Sequence, residues 1–255
     1  WTTDNGPTRK AIAAAGDPDI ICLQYMASGW LSQSFSGYTA PHKNHINQNY
    51  LIYVKTDKFD VLAGGSTDYC SYAILKRKAD SAMFTVINAY FDNSPSVAEA
   101  TREAQLQGMW ERIDGVWKDQ NKYGLMPMII TGSFGSKATP ADSDVYQSLT
   151  ENSLFFNASG VAKSTVGTNS AKTGDYVFAS YHMQYAVESY NVLGQYNTSN
   201  PIVVKVAVPH VACIHRLTKT PTVDATCTTA GSKEYYTCSS CGKIYADVYG
   251  AVETT

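Results

Sequence analysis

The chain has 255 residues, of which 44% are hydrophobic and 12% are aromatic. That is enough apolar material for a full core and a small second module, so the composition excludes a disordered chain. With 20 Lys and Arg against 22 Asp and Glu, the formal net charge is −2, and bulk charge does not favour a nucleic-acid partner. No apolar run reaches the roughly 18 residues of a membrane span, so we expect no transmembrane segment.

The ends and the polar composition of the chain suggest an extracellular origin. The sequence opens inside domain-like sequence without a visible signal peptide, so we expect an excised or processed piece. Its 18 Tyr residues, with many Ser, Thr and Asn, are typical of bacterial surface proteins. We therefore expect a secreted or cell-surface location.

The first 90 residues predict a helix followed by several short strands. Residues 8–15 predict a short amphipathic helix between Thr8 and Gly16. The apolar run 20–24 predicts a strand, in which Cys22 is read as a small buried hydrophobe. Strand-like runs at 49–54, 59–62, 72–76 and 82–90 then predict a meandering, mostly antiparallel sheet.

The next part of the chain alternates helix and strand. Apolar residues at three- and four-residue steps predict an amphipathic helix from Val97 to about residue 122. The apolar run 126–131 predicts a buried strand that ends in a Gly-x-x-Gly turn, and a short helix is predicted to start near Asp142. Further strands are predicted at 175–179, 185–193 and 202–208. Together these elements predict an α/β or α+β sandwich of two sheets faced by helices over residues 1–209, and a separate small module over 210–255.

Six ordered motifs resemble the endonuclease/exonuclease/phosphatase family, whose members have the DNase I-like fold. The resemblance covers roughly residues 8–208 and implies a four-layer sandwich with helices outside two sheets. Members hydrolyse phosphate esters with a divalent metal, usually Mg²⁺, using a metal-binding Glu, an Asp/Asn pair around the attacking water and a His oriented by another Asp. The residues that carry the resemblance are Asp17-Pro-Asp-Ile-Ile-Cys-Leu-Gln24, Asn49-Tyr-Leu-Ile-Tyr53 with Lys58-Phe-Asp-Val-Leu62, Phe84-Thr-Val-Ile-Asn88, Arg102 with Gln105, Ile129-Ile-Thr-Gly132 and Asp175-Tyr-Val-Phe-Ala-Ser180.

This sequence departs from the family at its catalytic positions. Tyr25 stands where the metal-binding Glu is expected, and a phenol is a poor Mg²⁺ ligand at neutral pH. Ser133 and Gly135 stand where the family has the Asp and Asn of Gly-Asp-Phe-Asn. The expected Ser-Asp-His-x-Pro segment is missing before the last strand, so Asp175 is retained without its partner His.

Asn88 and Tyr90 are interpreted as vestigial site residues. Asn88-Ala-Tyr90 replaces the common Asn-Thr-His, but the apurinic endonuclease branch is similar to Ala-Tyr at this point. Tyr90, with Asn93, could therefore contact a phosphate, although a tyrosine at a strand end is also commonly a packing residue.

These departures favour a catalytically impaired domain that binds a phosphate-bearing small molecule or a cell-surface component. The alternative is an active Mg²⁺-dependent phosphodiesterase or nuclease that recruits other acids, such as Asp92, Asp175 or Glu188. A third interpretation, an adhesion or spacer domain, differs in predicting no stabilisation by nucleotides or phosphosugars.

The last 45 residues contain four of the six cysteines. Cys238-x-x-Cys241-Gly is typical of a metal-binding knuckle, and two upstream ligands would complete a tetrahedral, structural zinc site in a zinc-ribbon-like module. We favour His215, Cys227, Cys238 and Cys241, with Cys213 left over or replacing His215. The competing interpretation is a disulfide from Cys227 or Cys213 to one knuckle cysteine. The module resembles a small repeat of Gram-positive surface proteins.

Overall fold

The computed structural model describes residues 6–24, 35–41, 50–94, 96–117, 126–135, 143–151, 154–167, 174–196, 200–211, 215, 217–247 and 252–255. The chain divides into two compact units, one formed by residues 1–110 and 127–210 and the other by residues 111–126 and 211–255. The sequence predicts a domain boundary between residues 209 and 210. This boundary stays a prediction, because the second unit also contains residues 111–126. None of the helices in the described ranges combines the length and the apolar character of a membrane span.

The elements of the first unit alternate short strands with few helices. They are α1 Gly6–Ala14, β1 Ile20–Gln24, β2 Tyr38–Thr39, β3 Tyr50–Lys55, β4 Phe59–Ser66, β5 Cys70–Arg77, β6 Met83–Tyr90, α2 Glu99–Trp117, β7 Met128–Ser133, α3 Asp144–Thr150, β8 Phe155–Asn157, α4 Ala158–Val161, β9 Ser164–Val166, β10 Asp175–Ser180, a 3₁₀ turn Tyr181–Met183, β11 Val187–Val192 and β12 Ile202–Val206. The end of α2 belongs to the second unit.

These strands form one six-stranded and two three-stranded sheets. The large sheet has the order β4-β5-β6-β7-β10-β8, and the small sheets have the orders β1-β3-β2 and β12-β11-β9. Strands β4 to β6 form the predicted antiparallel meander. Strand β7 instead pairs parallel with β6, because α2 intervenes and returns the chain to the same end of the sheet.

The main core lies between the large sheet and the two small ones. It joins Val54 of β3 to Leu75 and Val86 of the large sheet and to Val187 of β11. Strand β3 is buried along five consecutive residues, since a second cluster containing Leu23 and Leu51 packs against Ile12 of α1 on its other face. Helix α2 buries Leu106 and Met109, and Trp110 stacks on Phe155 of β8 as a packing residue. Helix α1 thus lies outside its sheet, as predicted, whereas the short helix α4 places Ala158 in the main core.

The second unit is a small sheet with little apolar core. Its strands are β13 Leu217–Thr220, β14 Tyr235–Cys238, β15 Ile244–Tyr245 and β16 Glu253–Thr254, in that order across the sheet. In this sheet Cys238 and Tyr245 are buried hydrophobic side chains, and Met126 is a third in the unit. A sheet this small needs a cross-link to be stable, because it buries too little apolar surface.

Candidate functional site

Three of the predicted site residues meet at one edge of the large sheet. Tyr90, at the end of β6, lies opposite Ser133, at the end of β7. Asp175, the first residue of β10, also lies opposite Ser133 in the antiparallel pair. Ser133 is buried, while Tyr90 and Asp175 are partly exposed. The ends of β6 and β7 and the start of β10 therefore lie side by side at this edge.

Asn88 lies below this edge and connects two sheets. Its Nδ2 donates to the carbonyl oxygens of Leu23, at 2.9 Å, and Leu51, at 3.0 Å. Its Oδ1 accepts a hydrogen bond from Gln24 Nε2 at 2.6 Å. The side chain is fully buried and engaged on both of its polar atoms. In this structure Asn88 joins the sheets.

The Gly135 position has no space for a side chain. Gly135 has a φ of +62°, and a Cβ built there would lie 2.1 Å from the Asp92 carbonyl oxygen and 2.9 Å from Arg102 Nε. Both distances are shorter than real Cβ contacts, and the first involves backbone. The segment after β6 therefore occupies the place where a side chain at this position would begin.

Arg102 holds that segment in place from α2. Its Nε donates to the Asp92 carbonyl at 2.8 Å, its Nη2 donates to the Ser94 carbonyl at 2.9 Å, and its Nη1 bonds Glu99 Oε1 at 2.5 Å. The Asp92 amide also donates to Gln105 Oε1 at 3.0 Å. Arg102 is 1% exposed, so its charge is directed at the backbone and Glu99 and is withdrawn from solvent.

The described residues at this edge do not fit a Mg²⁺ site. Mg²⁺ requires several oxygen ligands in near-octahedral geometry. The edge offers the carboxylates of Asp175 and Asp92, and Asp92 Oδ1 accepts a hydrogen bond from the Ser94 amide at 2.8 Å. Glu188 lies on β11, in another sheet, and pairs with Lys205 at 2.6 Å. Tyr25, in the position of the family's metal-binding Glu, lies outside the described residues.

The second unit contains a group of side chains that could hold a metal. Ligand atoms of His215, Cys238 and Cys241 all lie within 4.8 Å of one another, and this is the one such group of three among the described residues. Cys238 ends β14, where its carbonyl accepts from the Gly242 amide at 2.8 Å and its amide donates to the Lys243 carbonyl at 2.9 Å. This tight turn brings Cys241 back beside Cys238, as the Cys-x-x-Cys-Gly spacing predicts.

A buried tyrosine lines the same group. Tyr245 is 4% exposed, and its hydroxyl oxygen lies 3.1 Å from His215 Nε2 and 4.0 Å from Cys241 Sγ. Burial, and next the hydrogen bond with Cys241, raises the pKa of Tyr245 well above its ordinary value. The hydroxyl is therefore neutral at physiological pH and can both donate and accept a hydrogen bond.

The remaining two cysteines of the module are placed differently. Cys227 is an exposed free thiol and lies outside the group of three. Cys213, the alternative ligand, lies outside the described residues. The structure thus brings together three of the predicted zinc ligands. Cys238 and Cys241 are free thiols in it, as is Cys227.

Comparisons with solved structures identify the architecture. A protein of the endonuclease/exonuclease/phosphatase class from Bacteroides vulgatus matches 80% of this chain and 90% of its own, at a TM-score of 0.60 and 17% identity. The Bacteroides thetaiotaomicron mannosyl-6-phosphatase matches over 73% of this chain and 79% of its own, at a TM-score of 0.56 and 19% identity. This chain has the DNase I-like fold.

A human protein supplies a third solved structure of similar fold. The catalytic domain of human nocturnin, determined with bound sulfate, matches 80% of this chain and 87% of its own, at a TM-score of 0.54 and 15% identity. No family model and no curated protein matches the sequence.

In the DNase I-like unit, the sequence predicts the strand ends but not the hydrogen bonds that Arg102 and Gln105 make to the 92–94 segment. It identifies these two residues only as family-like residues on a helix. Their binding of the Asp92 carbonyl and amide is visible in the structure alone. In the second unit, sequence reasoning missed Tyr245. The signal that could have found it is that Tyr245 follows the predicted metal ligand Cys241 by four residues.

Proposed function

We propose that this chain belongs to the endonuclease/exonuclease/phosphatase family and has lost its hydrolytic site. Its DNase I-like unit would act as a binding domain of a secreted or cell-surface bacterial protein. The observation that carries the proposal is the closed Gly135 position, where the Asp92 carbonyl and Arg102 fill the space of a side chain. The buried hydroxyl of Ser133, in the position of the catalytic Asp, and the engaged amide of Asn88 support it.

A hydrolysis assay tests the loss of activity. The purified chain is incubated with Mg²⁺ or Mn²⁺ and bis(p-nitrophenyl) phosphate, plasmid DNA or mannose 6-phosphate, and product release is compared with that of heat-denatured protein. We expect no difference, because groups that act as a unit in catalysis do not compensate for one another. Metal-dependent turnover that disappears in Asp175→Ala would show an active enzyme with a different site.

A thermal-shift assay without divalent metal tests the binding role. One of the neighbours is named for a mannosyl-6-phosphate substrate and another was determined with sulfate. We therefore propose a phosphate-bearing small molecule as the ligand class. Mannose 6-phosphate should raise the melting temperature more than mannose does. Equal melting temperatures would support a spacer role over a binding role.

We further propose that the second unit is held together by zinc. Two thiolates and an imidazole are soft or borderline ligands, which favour Zn²⁺ over Mg²⁺ or Ca²⁺. The fourth ligand comes from the remaining cysteines, and comparing the zinc content of Cys213→Ser and Cys227→Ser identifies which one. Protein purified without chelator should contain about one zinc per chain. Absence of metal together with a disulfide between Cys213 or Cys227 and one of the knuckle cysteines, located by peptide mass spectrometry, would instead show a disulfide-linked module.

A further inference from the structure

Tyr245 lies where it can orient two ligands of the proposed metal site at once. Its hydroxyl oxygen is 3.1 Å from His215 Nε2 and 4.0 Å from Cys241 Sγ. The rings of Tyr245 and His215 have centroids 4.6 Å apart and are tilted by 51°. The hydroxyl is thus held by packing beside the site and does not have to reach it from solvent.

The two nitrogens of His215 have different surroundings. Nδ1 lies 3.7 Å from Cys241 Sγ. In a tetrahedral zinc site, bond lengths of about 2.3 Å to sulfur and about 2.1 Å to nitrogen place these ligand atoms about 3.6 Å apart. Nδ1 therefore already has the spacing of a zinc ligand. Nε2 is the nitrogen nearer to the Tyr245 hydroxyl oxygen, at 3.1 Å against 3.5 Å for Nδ1.

This arrangement gives a partner to the proton of His215 and to that of Tyr245. A metal-bound imidazole is neutral and carries its one proton on the nitrogen that does not bind the metal. With zinc on Nδ1, Nε2–H donates to the Tyr245 oxygen, and the Tyr245 hydroxyl can donate in turn to the Cys241 thiolate. Such outer partners fix the ring and adjust the charge of the ligands.

We propose that Tyr245 is a positioning residue of the zinc site, with its hydroxyl linking His215 Nε2 to Cys241 Sγ while His215 binds the metal through Nδ1. The inference rests on the proposed zinc site. It adds a residue outside the Cys and His pattern, and it assigns the metal-binding nitrogen. In this role Tyr245 acts on the metal through His215 and Cys241 and is not itself a ligand.

The test compares Tyr245→Phe with Tyr236→Phe in the full chain. Tyr236 lies opposite Tyr245 in the β14–β15 pair, and its hydroxyl bonds Glu234 at 2.7 Å. It therefore controls for the loss of a tyrosine hydroxyl in the same sheet. Zinc affinity is measured by competition with a chromophoric chelator, and the Co²⁺-loaded proteins are compared by their visible absorption. Tyr245→Phe should bind zinc about 10- to 100-fold more weakly and shift the Co²⁺ bands, whereas Tyr236→Phe should match the wild type in both.

Wild-type protein supplies a second measurement that does not depend on the variant folding. Nitrogen-15 NMR of the zinc-loaded chain distinguishes the two imidazole tautomers, and we expect His215 to carry its proton on Nε2. Zinc on Nε2, or wild-type affinity in a folded Tyr245→Phe, would overturn the role of Tyr245 and leave the zinc site standing. Failure of the wild type to bind Zn²⁺ or Co²⁺ would instead overturn the zinc site itself.

Discussion

Gly135 and the Asp92 carbonyl show how a single backbone contact restricts what a site can carry. The φ of +62° alone would admit Asn or Asp at some cost, since these residues visit this region more readily than others. The carbonyl oxygen at 2.1 Å from the Cβ position removes that option unless the backbone moves. Placing an Asn at position 135 would therefore require the 92–94 segment to shift, against the hydrogen bonds of Arg102.

The first prediction compares Gly135→Ala with Gly16→Ala. Gly16 has a similar φ of +75° but meets nothing within 4 Å of its Cβ position, so it isolates the conformational cost. We expect Gly16→Ala to lower the free energy of unfolding by about 1 kcal/mol. Gly135→Ala should lower it by about 3 kcal/mol, because about 2 kcal/mol of steric overlap is added. Urea unfolding of both variants measures the difference, and equal losses would contradict the close approach.

The second prediction concerns thiol reactivity. Burial raises the pKa of the Cys22 and Cys70 thiols to about 12, so almost no reactive thiolate is present at pH 8. Cys227 is exposed. Brief treatment of the metal-free folded protein, in which zinc cannot protect Cys227, with iodoacetamide at pH 8 should modify Cys227 and leave Cys22 and Cys70 unmodified, as read by peptide mass spectrometry. The same treatment in guanidinium should modify all three. Modification of Cys22 in the native protein would show that the residue is not the inert hydrophobe that the sequence predicts.

At the scale of elements, the sandwich is joined by a polar contact as well as by apolar packing. Strands β1 and β3 belong to a small sheet and β6 to the large one. Asn88 of β6 donates to one carbonyl on each of the other two strands. A buried amide that satisfies two backbone carbonyls makes the alignment of these sheets specific, because any slip leaves the carbonyls unpaired.

The third prediction tests this connection with Asn88→Ala and Asn88→Asp. Both remove the Nδ2 donors, and Asp keeps the shape of the side chain. We expect Asn88→Ala to lower the free energy of unfolding by about 3 kcal/mol, because two buried carbonyls lose their partners. Asn88→Asp should lower it by at least as much, because it also places a buried carboxyl group against those carbonyl oxygens. Chemical denaturation of the two variants gives the values. Near-wild-type stability of Asn88→Asp would show that shape, rather than hydrogen bonding, is what position 88 contributes.

At the scale of the whole molecule, the two units obtain stability from different sources. The first has a core that extends between three sheets and includes residues from both ends of its sequence. The second has a four-stranded sheet with few buried side chains. A metal that binds only the folded form would supply the missing free energy, since binding and folding are then one process.

The fourth prediction is that chelation opens the second unit. Hydrogen exchange of the zinc-loaded chain is followed by mass spectrometry before and after addition of a strong chelator. Amides in β14 and β15 should lose protection after chelation. Amides in β5 and β6, which lie in the interior of the large sheet, serve as the internal reference. Unchanged protection in β14 and β15 would show that the small sheet is stable without metal.

Local sequence patterns predicted most of the helices and strands but not which strands pair with each other. The strands at 20–24 and 175–180 and the helix that begins near residue 99 follow directly from apolar periodicity and caps. Strands β8 and β9, three residues each, were not predicted because they carry no apolar alternation of their own. The parallel pairing of β6 and β7 also lay beyond the local signal, since it depends on where α2 returns the chain.

The sequence by itself determined the chemistry that is available: a hydroxyl at Ser133, no side chain at Gly135, a phenol at Tyr25, and a knuckle that brings two thiols together. These are properties of residue type and short spacing, which do not depend on the rest of the fold. Only the tertiary structure decided that the Asp92 carbonyl closes the Gly135 position, that Asn88 joins two sheets, and that Tyr245 lies against His215 and Cys241. The physical reason is that each is a contact between segments separated along the chain, and such contacts are set by sheet pairing and packing rather than by local sequence.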